Sequence, residues 1–367
     1  MKPAALTGLV DVFAGIPDEA MLADLLHDRD AAFEDRWSDR VRMLHASGRG
    51  DAGNVVARID ALPPAALRRL TGAPEMWSFA TSGVAGADGD PLGTVAGWLD
   101  AEEFLAGMRS HVDAPTWTAL GDVGLDPSSG RCVKTCAPHL AETIVIDWQS
   151  PSALSRLVEI HDDPIPFPSA EGAVAHAKIR DGFNLLERSS ETWTALVERF
   201  ARVVLVRNDR TTAAFSSATT RAALGRLVLR NPHHQHTTLE VLLDGLIHET
   251  VHTIVDHVEL TVPLIARPLD IGHLAFRSPW TGRQLDPNTF VHAVMVWGSL
   301  FFFWLEAYRA NAIDERTAIG LLWGRAGGFV ANPSPANLLR SHGAAFAEGV
   351  IDVVDKMERR VRNVMEI

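Results

Sequence analysis

Apolar residues recur at three- and four-residue steps over most of this chain and alternate strictly in only a few short runs, the signature of a predominantly helical protein with a small sheet. The helical spacing predicts helices over Pro17–Leu26, Asp30–Leu44 and Asn54–Leu70, with breaks at Gly48-Arg-Gly50 and Pro63-Pro64. From Thr71 to Pro91 the text turns polar and Gly-rich and reads as loop. Period-two, β-branched runs bounded by turn residues predict strands at Thr143–Asp147 and Val203–Val206, with Arg226–Arg230 a third. Helical spacing returns at Pro151–His161, Ala173–Leu186, Ser190–Phe200, Pro287–Asn311, Ile313–Gly320 and Ala344–Val364. The expected architecture is α+β, divided into a helical N-terminal region over residues 1–140 and a second domain over 141–367.

The segment that carries chemistry lies inside one of these patterns. Thr237-Thr-Leu-Glu240 reads as a capping box, and Leu239, Leu243, Leu246, Ile247, Val251, Ile254 and Val258 follow at helical spacing, so this helix should be anchored in the core. Within it, Leu246-Ile-His-Glu-Thr-Val-His252 is a His-Glu-x-x-His motif. Four residues is just over one turn, so His248 and His252 share a face and can grip one metal ion. Glu249 lies about 100° further round, beside the metal's open side or behind its ligands. Two chance histidines can occur on a solvated helix, but buried ones need partners. A metal centre whose ligands include His248 and His252 is therefore expected.

Composition narrows the class of protein. The chain has 367 residues, 47% hydrophobic and 22% charged, enough for a sizeable core around a buried site. A net charge of −12 without a Lys/Arg cluster argues against nucleic acid or an anionic membrane as partner. The N-terminus lacks the apolar core and cleavage site of an export signal, which points to the cytoplasm. Phe290–Leu305 is very apolar but short for a bilayer span and carries His292, so a core helix is expected. Two cysteines, Cys132 and Cys136, are too few for a disulfide framework or an iron–sulfur cluster.

A further ligand must come from elsewhere. A metzincin peptidase would need Gly at 255 and His at 258, where Val255 and Val258 stand. A thermolysin-like site would recruit a Glu from a later helix in a Glu-x-x-x-Asp setting, and Ala310 stands where Asp would follow Glu306 by four residues, which weakens that reading without closing it. His257 points about 140° away from His252, and Glu259 lies about 10 Å along the axis, so neither closes the site from the same helix. His292 opens the second apolar helix in Phe290-Val-His-Ala-Val-Met-Val-Trp297, where an imidazole needs a specific partner, and is the candidate. The His233-His-Gln-His236 run reads as solvated loop, and Asp256 as orienting His252 or facing solvent. Trp280, Trp297 and Trp304 read as core or pocket wall.

These segments resemble the 2-oxoglutarate-dependent peptide hydroxylases of the His-Glu-x-x-His type that act in maturation of ribosomally made peptides. The resemblance runs in order through Ala214-Phe-Ser-Ser-Ala218, Gly225-Arg-Leu-Val-Leu229, the motif helix, Ser278-Pro-Trp-Thr-Gly-Arg283 and Val291-His-Ala-Val-Met-Val296, covering roughly residues 200 to 305. Gln284 stands where the family usually has Pro, and the Cys triplet of an associated radical-SAM domain is missing. The resemblance implies Fe(II), 2-oxoglutarate and O2 as cofactor and cosubstrates, with His248, His252 and His292 on the metal. Glu249 would then support those ligands or join them. It implies Arg283, with Arg277 in reserve, as the fork that binds the distal carboxylate of 2-oxoglutarate. The substrate would be a peptide, with or without a leader segment, hydroxylated at a carbon such as a β-carbon. Two other readings remain open: a zinc metallopeptidase with Glu249 as general base, and a peptide-binding module with a vestigial site.

Overall fold

The computed structural model describes residues 4–46, 50–83, 90–127, 132–157, 162–266 and 274–366. Helices dominate and the strands are few and short, so the chain is α+β and predominantly helical. It divides into two compact units, one of residues 1–29, 184–197 and 254–367, the other of 30–183 and 198–253. The expected boundary at residue 140 corresponds to neither division. Residues 30–183 fall in one unit, in which the earlier strands form a three-stranded sheet of their own and His139–Leu140, at the expected boundary, pairs with Ile144–Asp147 of the larger sheet.

The unit built from 30–183 and 198–253 is organised by a sheet in the order 139–140, 144–147, 203–209, 226–230, 216–219, with 164–165 pairing the end of 203–209. Ile144–Asp147 runs parallel to Val203–Asp209, which runs parallel to Arg226–Arg230. The last strand, Ser216–Thr219, is antiparallel, with Ser217 opposite Leu229. The central runs Ile144–Ile146, Val203–Val206 and Leu227–Leu229 are buried throughout, the pattern of strands covered on both faces. Among the ion pairs between described residues of this unit, two have both partners buried. Arg207 bonds Asp162 at 2.7 Å and Arg226 bonds Glu75 at 3.3 Å, so each buried cation meets a carboxylate. Gly245, on the helix Leu239–Val258, lies against the edge strand. A Cβ there would come 2.9 Å from Phe215 Cζ and 3.2 Å from Ser217 Cβ, so glycine permits the close approach.

The unit built from 1–29, 184–197 and 254–367 is centred on the helix Pro287–Arg309. Asp286 caps it by accepting from Thr289 N–H at 3.0 Å, and Pro287 occupies its first turn. Phe290, Val294, Phe301, Phe303 and Trp304 are buried, and Gly298 leaves room for the Met357 thioether. Trp280 stacks on Trp297 with centroids 5.7 Å apart and donates its Nε1–H to the Arg325 carbonyl at 2.8 Å, while Trp304 is fully buried, so these aromatics serve packing as expected. This helix is long and apolar enough to cross a membrane, but 78% of its most apolar stretch is buried inside the structure, as suits a core helix.

Several elements depart from the sequence pattern. The two helices expected between residues 17 and 44 are one, Glu19–Ala46. The stretch expected as loop from Thr71 contains the helix Pro74–Ser82, with Met76, Trp77 and Phe79 buried and Trp77 packed under Arg36. Its Pro at the first position and Gly83 in the left-handed conformation just past its end punctuate a helix, not a loop. The helix Pro91–Leu105 and the three-stranded sheet of 116–117, 123–126 and 133–136 were not foreseen, and Cys136 lies on a strand. The expected helix from Pro151 is observed only as Pro151–Leu154. Its end at 158–161, the break at 48–49 and the loop portion 84–89 lie outside the described residues.

Candidate metal centre

The helix Leu239–Val258 begins one residue later than the capping box predicts: Thr238, not Thr237, accepts from Val241 N–H, at 3.4 Å, while Thr237 bonds the Asn231 carbonyl. Leu242, Leu243, Leu246, Ile247, Val251 and Ile254 are completely buried, so the helix is fixed in rotation as well as position. Thr250 and Thr253 satisfy their hydroxyls on the carbonyls of Leu246 and Glu249, four residues back. The helix therefore holds His248 and His252 at defined angles, half-buried, on one face.

On that face the two Nε2 atoms are 3.1 Å apart, and the ring centroids 4.9 Å. That separation is the spacing of two neighbouring ligands on one ion when metal–nitrogen bonds are about 2.0–2.1 Å. Glu249 is buried beside them, with Oε1 3.9 Å from His248 Nε2. One donor atom each from His248, Glu249 and His252 lie within 4.8 Å of one another. The carboxylate is held from the sheet: Ser217 on the edge strand donates its hydroxyl to Glu249 Oε1 at 2.6 Å. Loss of hydration pulls the His248 pKa down to about 4, although 38% of its side-chain surface is still accessible. At neutral pH His248 is thus an uncharged imidazole with a lone pair to offer, the form a metal requires.

His292 is placed differently from the expectation. Its Nε2 meets Glu259 Oε2 at 3.0 Å, and its donor atom groups with those of Asp256 and Glu259. The three expected ligand histidines therefore do not form one group. The reason is Glu259, which lies just past the helix end and turns its carboxylate toward the start of the helix Pro287–Arg309. Asp256 belongs to that second group as well as following His252 by one turn, and it does not face solvent. Arg277 and Arg283 are both exposed on the hairpin that pairs Phe276–Arg277 with Gln284–Leu285, and the turn is closed by Ser278 N–H on the Arg283 carbonyl at 2.8 Å. The His233–His236 run is only partly solvated. His233 packs edge-on to Phe167 and lies 3.7 Å from Glu171.

Sequence reasoning missed Ser217 and the grouping of Asp256 with Glu259 and His292. Ser217 lies in the Ala214–Ala218 segment of the resemblance, but its contact with Glu249 follows from Gly245 letting the strand approach the helix. The Asp256–Glu259 pair was legible as two carboxylates three residues apart beside a helical metal motif. No family model matches this sequence, and no curated protein is found to be similar to it.

Proposed function

We propose that this chain is an Fe(II)- and 2-oxoglutarate-dependent oxygenase that hydroxylates a carbon, the β-carbon in our reading, of a residue in a ribosomally made peptide. The observation that carries this reading is the group of two imidazoles and one carboxylate on the motif helix, since two His and one carboxylate with open positions suit non-haem Fe(II). The resemblance of residues 200–305 to peptide hydroxylases supports the same reaction. When bound, Fe(II) with 2-oxoglutarate and O2 supplies the oxidising power to place one oxygen atom in a C–H bond while the keto acid leaves as succinate and CO2.

The chain's own residues do the holding and aiming. His248 and His252 present their imidazoles from one rigid face. Glu249 offers its carboxylate as the third donor, and the Ser217 hydroxyl fixes the rotation of that carboxylate. Arg283, with Arg277 of the same hairpin in reserve, is our assignment for the permanently charged fork that would bind the distal carboxylate of 2-oxoglutarate. The side of His248 that remains accessible gives a small substrate room to reach the centre. We place the protein in the cytoplasm, acting on a peptide with or without a leader segment.

The test follows the oxygen atom. Iron-loaded protein is incubated with the small peptide encoded nearest its gene, 2-oxoglutarate and labelled O2. The expected product is the intact peptide about 16 Da heavier, or about 18 Da with heavy oxygen, and an equal amount of succinate. Cleaved fragments carrying oxygen from water, with no succinate, would instead assign Glu249 as the base of a zinc peptidase.

A further inference from the structure

We infer that Asp256, Glu259, Asn288 and His292 form a second site for a divalent cation, with ligands distinct from those of the His248 group. Asp256 lies in the last turn of the motif helix and Glu259 just past its end, with its N–H still on the Val255 carbonyl at 2.9 Å, while Asn288 and His292 are four apart on one face of the helix Pro287–Arg309. The two pairs meet. His292 Nε2 is 3.0 Å from Glu259 Oε2, Asn288 Nδ2 donates to the same oxygen at 3.4 Å, and the donor atoms of Asp256, Glu259 and His292 lie within 4.8 Å of one another.

The side chains are shielded from water: His292 and Glu259 are 7% and 6% exposed. A second observation points to a ligand here. Among the described residues the Asn288 amide oxygen is buried with no hydrogen-bond partner, although the amide nitrogen on the same side chain is already committed to Glu259. Buried carbonyl oxygens are rarely left unmatched, and a cation is a fitting partner for the lone pair of a side chain that already reaches Glu259.

Two carboxylates, an amide oxygen and one imidazole make a mostly hard donor set, which suits Mn2+, Fe2+ or Zn2+ and not a soft ion. Donors projected in helical pairs from neighbouring segments are a general way to build a metal site in a helical core. The role we assign to this ion is structural. It would tie the turn that ends the motif helix to the start of the helix Pro287–Arg309, where the Glu259–His292 bond already runs.

The site rests on different residues from the proposed oxygenase centre, so the two can fail separately. The full-length chain is stripped with chelator, loaded with Mn2+, freed of unbound ion and analysed for manganese per chain, with thermal melting as the control for folding. Wild type should hold two equivalents, and His248→Ala/His252→Ala should keep one that also raises its melting temperature. Asp256→Asn/Glu259→Gln should lose that equivalent. If this last pair does not fold, the double-histidine variant still decides, because it leaves the second group intact. A double-histidine variant that holds no manganese overturns the second site, as does an Asp256→Asn/Glu259→Gln protein that still holds two. One equivalent in wild type that persists without His248 and His252 would sustain this site while removing the first.

Discussion

The two donor groups found among the described residues differ in access and in make-up. The His248 group has two imidazoles to one carboxylate, and more than a third of the His248 side chain is open. The His292 group has two carboxylates to one imidazole, and its His292 and Glu259 side chains are almost closed to water. A centre that must admit a peptide and small molecules needs the first arrangement, whereas one that only ties segments together is served by the second. Residue type alone does not separate the two. Each has histidine and acid at helical spacing, and the difference lies in what the surrounding chain covers.

The largest effect should come from the open group. His252→Ala removes one of the two neighbouring imidazoles we propose as ligands and should lower iron affinity at least about 100-fold and abolish turnover. His257→Ala, one turn further but buried on another face, should leave iron content unchanged and cost only folding stability. Iron content by metal analysis checks both, and equal loss in the two variants would erase the distinction between the faces of this helix.

The support from the sheet should matter less. Ser217→Ala leaves Glu249 without its hydroxyl donor and should weaken metal binding by about 10- to 100-fold, with secondary structure unchanged. Titration of the metal-free variant reads this directly, and an unchanged affinity would remove Ser217 from the site. Gly245→Ala tests the packing that brings Ser217 there. The new methyl meets Phe215 and Ser217, so urea unfolding should show a loss of about 1–3 kcal/mol.

The smallest effect is one of pH, measured on metal-free protein. Burial lowers the His248 pKa from 6.5 to about 4, so the unfolded chain binds more protons between those values. Stability from this group is present above pH 6.5 and is lost as pH falls toward 4. Asp147 has the opposite sign. Burial raises its pKa from 3.8 to about 6, so its contribution is present below pH 3.8 and lost as pH rises through 6. Because Asp147 is common to both proteins, comparing wild type with His248→Gln at pH 7 and pH 4.5 isolates the histidine. The variant should lose about 1 kcal/mol less on acidification, a figure already reduced for the accessible part of the ring. An equal loss in both would show that His248 is not held neutral by its surroundings.

Much of this was legible in the sequence because the physics is local. The helix Leu239–Val258, its shared His248–His252 face and the capped helix Pro287–Arg309 all follow from spacing and end signals. What escaped is non-local. Ser216–Thr219 is a polar four-residue strand, recognisable only once it pairs with Arg226–Arg230. Pro74–Ser82 was hidden by its Gly and Ser neighbours, though Trp77 and Phe79 drive its burial. His292 was correctly expected to need a partner in apolar surroundings. Which partner it has depends on a turn just past a helix end, and helical spacing says nothing about that.

The central claim is that the open group holds iron together with 2-oxoglutarate. The direct test is an anaerobic titration of metal-free protein with Fe(II) in the presence of 2-oxoglutarate, followed in the visible range. The account predicts an absorption band that saturates with one equivalent of iron at this group, is missing from His252→Ala and is weakened by Arg283→Ala. No band in wild type, with zinc instead bound at His248 and His252 and a peptide cut on its addition, would contradict it.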